Sequence, residues 1–182
     1  MRVRAAVGER DGAACAAIYA PYVDGSPTSF EELVPDALDM AERIERVWRV
    51  HPWLVAEIDG QVAGFAYATG HRARPAYRWA AETSIYLAAA RRGRGVGRAL
   101  YGELIGRLRE QRLHVACAGI TLPNAASVAL HAALGFEQVG VYRRIGYKHG
   151  GWRDVAWWQL ELRPADGGPP EEPLPPRRDG KG

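Results

Sequence analysis

The chain has 182 residues, 47% hydrophobic and 25% charged, with a net charge of +3; this suits one domain able to bury roughly 70% of its unfolded surface and leaves no room for a second. No apolar run approaches the ~18 residues of a membrane helix and the N-terminus lacks a signal-peptide pattern, so a soluble, cytoplasmic protein with no membrane partner is expected. Cys15 and Cys117 sit in apolar stretches without metal-ligand spacing, which predicts buried, reduced thiols and no metal.

In chain order, "RVRAA" alternates like a short strand, and Asp11 is placed to cap a helix, "GAACAAIYAPYV", ending near Pro21. "VPDALDMAERIERVWRV" has apolar residues at Leu38, Ala41, Ile44, Val47 and Trp48, the spacing of a second helix. Two apolar runs flank Asp59-Gly60 in "WLVAEIDGQVAGFAYATG", a hairpin signal. The strand "AETSIYL" then enters an arginine-glycine loop, followed by an amphipathic helix with the stripe Leu100, Leu104, Ile105 and Leu108. "HVACAGITL" reads as a buried strand and "NAASVALHAAL" as a helix between Asn124 as N-cap and Gly135 as stop. "FEQVGVYRRI" and "WRDVAWWQLEL" are the last strands. The fold class is therefore α/β, a mixed α+β sheet in a single domain over residues 1–163, with the proline- and glycine-rich residues 164–182 as a disordered tail.

Charge is unevenly spread. Arg72 to Arg112 carries ten arginines against three glutamates, a segment charge of +7, which would draw an anionic ligand; an arginine-rich solvated surface gives the same count. Within that segment a strand runs into a glycine-rich turn that opens a helix. Such a turn aims several amides and the positive end of the helix dipole at one point, suiting a phosphate. The spacing is neither that of a P-loop nor that of a dinucleotide fingerprint. A basic-loop module for nucleic acid is a different class of reading, opposed by the lack of interleaved aromatic residues.

Arg92-x-x-Gly95-x-Gly97 between strand and helix resembles the acetyl-coenzyme A loop of the GNAT N-acetyltransferases. "HPWLVAEIDGQVAGFAYA", "AETSIYL", "LPNAASVALHAALGF" and "GYKHGGWRDVAWWQ" narrow the resemblance to the phosphinothricin N-acetyltransferases, across nearly all of residues 2–162. Related enzymes acting on methionine sulfoximine or sulfone share much of this pattern. The resemblance implies the GNAT fold, acetyl-CoA as co-substrate, a small amino acid as acceptor, a homodimer, a role in herbicide or antibiotic resistance, and neither metal nor nucleic acid. It implies that the amides of Arg92, Gly93, Arg94, Gly95, Val96, Gly97 and Arg98 hold the pyrophosphate and that Leu87 holds the pantetheine arm. Asn124 either reaches the coenzyme or only caps its helix.

Acetylation needs a neutral amine, whereas an α-amino group is mostly protonated at neutral pH. A base must take that proton. The resemblance assigns this to Glu82, which by itself reads as an exposed strand glutamate, and places a second catalytic group at His131, which by itself reads as a packing residue. It also implies that Arg72 and Arg74 clamp the acceptor's carboxylate and phosphinate, and that Phe30, Tyr77 and Val155 line its pocket. Two positions depart from the family: Arg72 stands for a lysine, and Arg78 for an acid in the plant-resistance members. Alternation would point Arg72 and Arg74 the same way if their segment is extended. Lys148, Trp152 and Asp154 fix either the pocket end or a dimer contact. No arrangement for a covalent intermediate is present, so direct attack by the amine on the thioester is expected.

Overall fold

The computed structural model describes residues 1–165 and 167–178. β1 (Arg2–Ala5), β2 (Trp53–Ile58), β3 (Gln61–Gly70) and β4 (Ala80–Leu87) pair antiparallel in that order. Asp59 and Gly60 turn β2 into β3 with φ of 52° and 76°, the twin positive angles that an Asp-Gly type I′ turn supplies. β5 (Val115–Thr121) lies parallel to β4, and β7 (Gly151–Glu161) and β6 (Glu137–Lys148) complete a seven-stranded sheet of order β1-β2-β3-β4-β5-β7-β6. The order of one strand, two helices, three strands, helix, strand, helix and two strands is the one expected.

The parallel pair is the feature that makes a site. β4 and β5 are bonded only where Ala80–Glu82 faces Val115–Cys117. Beyond that point β4 stays with β3 as far as Leu87, while β5 stays with β7 as far as Thr121. The sheet therefore opens into a wedge just after Glu82.

Helices close both faces. On one, α1 (Gly8–Val23) packs against α2 (Ala37–Val47) and lays Tyr19 on Phe65 and Tyr86. Gly12 permits this approach, since a Cβ there would lie 2.7 Å from the Ala37 carbonyl oxygen. On the other face, α3 (Val96–Glu110) buries Leu100, Leu104, Ile105 and Leu108, the expected stripe, and α4 (Ala125–Ala133) follows. Asn124 caps α4 by accepting from the Ser127 amide at 3.1 Å, and Gly135 ends the turn after it with φ 87°.

Three local expectations change. α1 begins at Gly8, so Asp11 lies inside it instead of capping it, and the helix runs past Pro21 to Val23. Asp11 has a stronger bond than a cap: Arg4 reaches both its oxygens at 2.8 and 2.9 Å, and the Val7 amide donates at 2.8 Å. Burial alone would raise this carboxyl, but the hydrogen bonds from Arg4, Val7 and Arg10 outweigh it and hold the pKa below the usual carboxylate value. In α2 the buried side is Met40, Ile44 and Trp48, and Leu38 faces solvent. Cys15 is buried as expected, its thiol pushed up to about 12 chiefly by burial, whereas Cys117 is half-buried.

The stretch read as a disordered tail forms no helix or strand among its described residues. It runs back across the body: Leu174 exchanges hydrogen bonds with Gln111, the Trp79 indole donates to the Glu171 carbonyl at 2.8 Å, and Glu172 takes both arms of Arg78 at 2.8 and 2.7 Å. Residue 166 and residues 179–182 lie outside the described residues.

Candidate active site

The wedge between β4 and β5 is lined by Thr83, Ile85, Tyr86, Gly119, Asn124 and His131 among others. At its open end β4 passes through a short 3-10 turn, Ala89–Arg91, into the glycine loop. Gly93 and Gly95 hold φ of 71° and 79°, where a side chain is strained, and a Cβ at either would meet nothing within 4 Å. The amides of residues 93–98 find no acceptor among the described residues; the first bond of α3 is from Ala99 to the Gly95 carbonyl. Six unpaired donors at a helix start, with Arg92, Arg94 and Arg98 exposed around them, fit the diphosphate of a coenzyme. Gly97 is different in kind, because a Cβ there would press on Leu130 at 3.2 Å and Leu87 at 3.4 Å.

Leu87, which the resemblance places at the pantetheine arm, has its backbone groups held by a side chain. The Tyr22 hydroxyl takes both its backbone groups, donating to its carbonyl at 2.7 Å and accepting from its amide at 3.1 Å. Arg92 lies 5.1 Å over the same ring, so Tyr22 ties the end of β4 to the loop.

Glu82 occupies the last β4–β5 pair, opposite Cys117, and its side chain is one-third exposed. Its Oε1 is 2.9 Å from Nδ1 of His71. The His71 ring stands edge-on to Tyr77 and Trp157, with centroids 5.7 and 6.0 Å away. Across β3, Thr69 is the register partner of Glu82 and Tyr67 that of Ser84, so these side chains share one face of the sheet. Thr69 and Tyr67 wall a cavity of about 150 Å³ with Tyr19, Tyr86, Trp53 and Arg43. Arg43 is paired to Glu31 at 2.7 Å.

His131 is buried on the opposite face. Its Nδ1 donates to the Ser127 carbonyl at 2.8 Å, and its Nε2 is 2.9 Å from the Tyr101 hydroxyl, which lies 3.2 Å from Thr83. Burial lowers its pKa, only partly opposed by the bond to Ser127; this histidine is held neutral. Thr83 follows Glu82 on β4 and so points to the other side. The structure therefore separates the two expected catalytic groups by the thickness of a strand, with Tyr101 and Thr83 between them.

The remaining expected residues divide. Residues 71–79 bend and form a 3-10 turn, Pro75–Tyr77, so that Arg74 keeps extended angles before the turn but the segment is no continuous strand; proline at 75 and the short reach between β3 and β4 turn the chain. Arg72 and Arg74 are exposed on this connection with no hydrogen bond or ion pair among the described residues. Tyr77 meets His71, Val155 borders Gly119, and Phe30 covers Gly146, where any side chain would run into the ring. Lys148 donates to the carbonyls of Val23, Ser29 and Glu31 at 2.6, 2.7 and 2.6 Å, holding the loop that carries Phe30 against the β6–β7 hairpin. Asp154 accepts from the Arg144 amide at 2.7 Å, and Trp152 is exposed.

An acetyltransferase (GNAT) domain model matches residues 5–157. The chain belongs to the GNAT acetyltransferase family. A phosphinothricin N-acetyltransferase of Streptomyces viridochromogenes is 39% identical over 167 residues, 92% of this chain and 87% of that protein. An L-methionine sulfoximine/L-methionine sulfone acetyltransferase of Pseudomonas aeruginosa is 36% identical over 155 residues, 84% of this chain and 90% of that one. A GNAT superfamily phosphinothricin acetyltransferase from Sinorhizobium meliloti, solved with AcCoA, superposes with a TM-score of 0.88 at 38% identity, covering 94% of this chain and 93% of that one. The wedge and the glycine loop of this acetyltransferase are thus parts of a fold whose neighbours bind acetyl-CoA. Tyr22, Tyr67, Thr69 and His71 were missed by sequence reasoning. Only register could have found Thr69 and Tyr67, by counting forward along β3 from the Asp59-Gly60 turn.

Proposed function

We propose that this acetyltransferase acetylates the α-amine of a small acidic amino acid of the phosphinothricin type, with Glu82 as the base. The observation that carries the reading is the position of Glu82 at the apex of the wedge. One side of that apex opens along β4 toward the glycine loop; the other borders the aromatic cavity through Thr69. An amine held there lies between a carboxylate and whatever the wedge contains.

Acetyl-CoA, held by the amides of residues 93–98 with Arg92, Arg94 and Arg98 around its phosphates, supplies the activated acetyl thioester. Glu82 takes a proton from the acceptor's ammonium and exposes the nitrogen lone pair, a contribution of about 10²–10⁴ in rate for a general base. Arg72 and Arg74, unpaired and on the connection leading to Glu82, hold the acceptor's anionic groups. Phe30, Tyr77 and Val155 shape the pocket around them. Neutral His131, bonded on both ring nitrogens, fixes Tyr101 and Thr83 behind the base and so keeps β4 in place. Asn124 caps α4 at the wall of the wedge.

Thiol release from acetyl-CoA with phosphinothricin, methionine sulfoximine, methionine sulfone and glutamate, compared by kcat/KM, tests the acceptor class. A preference for phosphinothricin by ~10²-fold or more supports the reading, since a site built to pair charged groups discriminates strongly against acceptors lacking them. Higher rates with the sulfoximine or sulfone move the acceptor to the second class of relative. The reading also carries a homodimeric cytoplasmic enzyme that protects cells from phosphinothricin; a monomer in sedimentation, or cells no less sensitive when expressing it, removes those parts.

A further inference from the structure

The base has a neighbour that the proposed reaction does not use. His71 places Nδ1 2.9 Å from Glu82 Oε1, and its own ring is fixed edge-on between Tyr77 and Trp157. Glu82 is one-third exposed whereas the His71 side chain is 18% exposed, so the histidine is the better-held member of the pair. A glutamate on an open strand surface has three torsions to fix, and a carboxylate that wanders presents its lone pairs to the amine for only part of the time.

We propose that His71 is a positioning residue for Glu82, setting which carboxylate oxygen acts as base. This inference rests on Glu82 being the base. With Nδ1–H donated to Oε1, Oε2 is left to receive the acceptor's proton, and His71 keeps its Nδ1 proton throughout.

Three variants test this on the full chain with acetyl-CoA and the best acceptor of the panel. His71→Phe keeps a ring between Tyr77 and Trp157 but removes the donor; kcat should fall about tenfold at pH 8, as misplacement of a catalytic group does, with the acetyl-CoA KM unchanged. His71→Asn can present an amide N–H near the Nδ1 position; it should recover kcat to within about threefold of wild type. Placed on Glu82→Gln, His71→Phe should have no further effect. The inference is overturned if His71→Phe matches wild type at pH 8, or if His71→Asn is as slow as His71→Phe. If Glu82→Gln alone leaves turnover unchanged, it is the assignment of the base that fails, and that result is read separately from either His71 variant.

Discussion

In the proposed reading, the coenzyme side and the acceptor side of this acetyltransferase are built in opposite ways. On the coenzyme side the working groups are main-chain amides, contiguous from residue 93 to residue 98, and the sequence's task is to leave them bare: two glycines at positive φ and a helix that starts with no side-chain cap. On the acceptor side the working groups are side chains brought from β3, β4, β7, the 71–79 connection and the loop held by Lys148. A backbone site is damaged by adding atoms, and a side-chain site by removing them. The two halves should therefore fail through different kinetic constants.

Glu82→Gln gives the largest expected effect. The amide keeps the shape and the contact with His71 but cannot take a proton, so kcat should drop by about 10²-fold or more while the dissociation constant of acetyl-CoA, measured by calorimetry, stays within about twofold. A matching loss of coenzyme affinity would erase the separation between the halves, because it would mean the wedge depends on this carboxylate for its form.

Gly95→Val is the converse. Space is not the obstacle, since no atom lies within 4 Å of a Cβ there; the φ of 79° is. Holding a β-branched residue in that region costs about 1–2 kcal/mol, which the loop would relieve by turning its amides away. The acetyl-CoA KM should rise by roughly tenfold, as that free energy implies, with the acceptor KM little changed. Equal effects on both would show the loop and the acceptor pocket to be one mechanical unit.

This difference also explains what could be read without coordinates. Asp59-Gly60, the Leu100–Leu108 stripe, Asn124 and the glycine loop depend on residues close in sequence, and each lies where periodicity or turn chemistry puts it. Asp11 misled because a carboxylate before an apolar run is a cap by local rules, and only the fold brings Arg4, seven positions earlier, to within 2.8 Å of it. Nothing near Leu87 in sequence announces Tyr22, 65 positions earlier, which takes its amide. His71 gave no local signal at all: its partner is 11 residues on and is brought alongside by the return of β4 on β3. Resemblance located Glu82 and His131 as positions, but it could not show that β4 stands between them.

The smallest expected effect concerns the C-terminal segment. Its acidic residues reach the acceptor side and no part of the glycine loop: Glu172 grips Arg78 with two bonds, and the Glu171 carbonyl takes the Trp79 indole, at the end of the connection that bears Arg72, Arg74 and Tyr77. These contacts are exposed, and exposed ion pairs contribute little to stability, so a chain ending at Arg163 should still fold. Freed from Glu171 and Glu172, the connection would sample more conformations, and the acceptor KM should rise modestly. The acetyl-CoA KM should not move. Single Glu172→Gln should reproduce part of the effect and high salt should mimic it, because the Arg78 pair is screened where the indole bond is not. If truncation instead raises the coenzyme KM, the segment acts through its contacts with Gln111 and Arg107 at the end of α3, and the two halves are coupled along that helix.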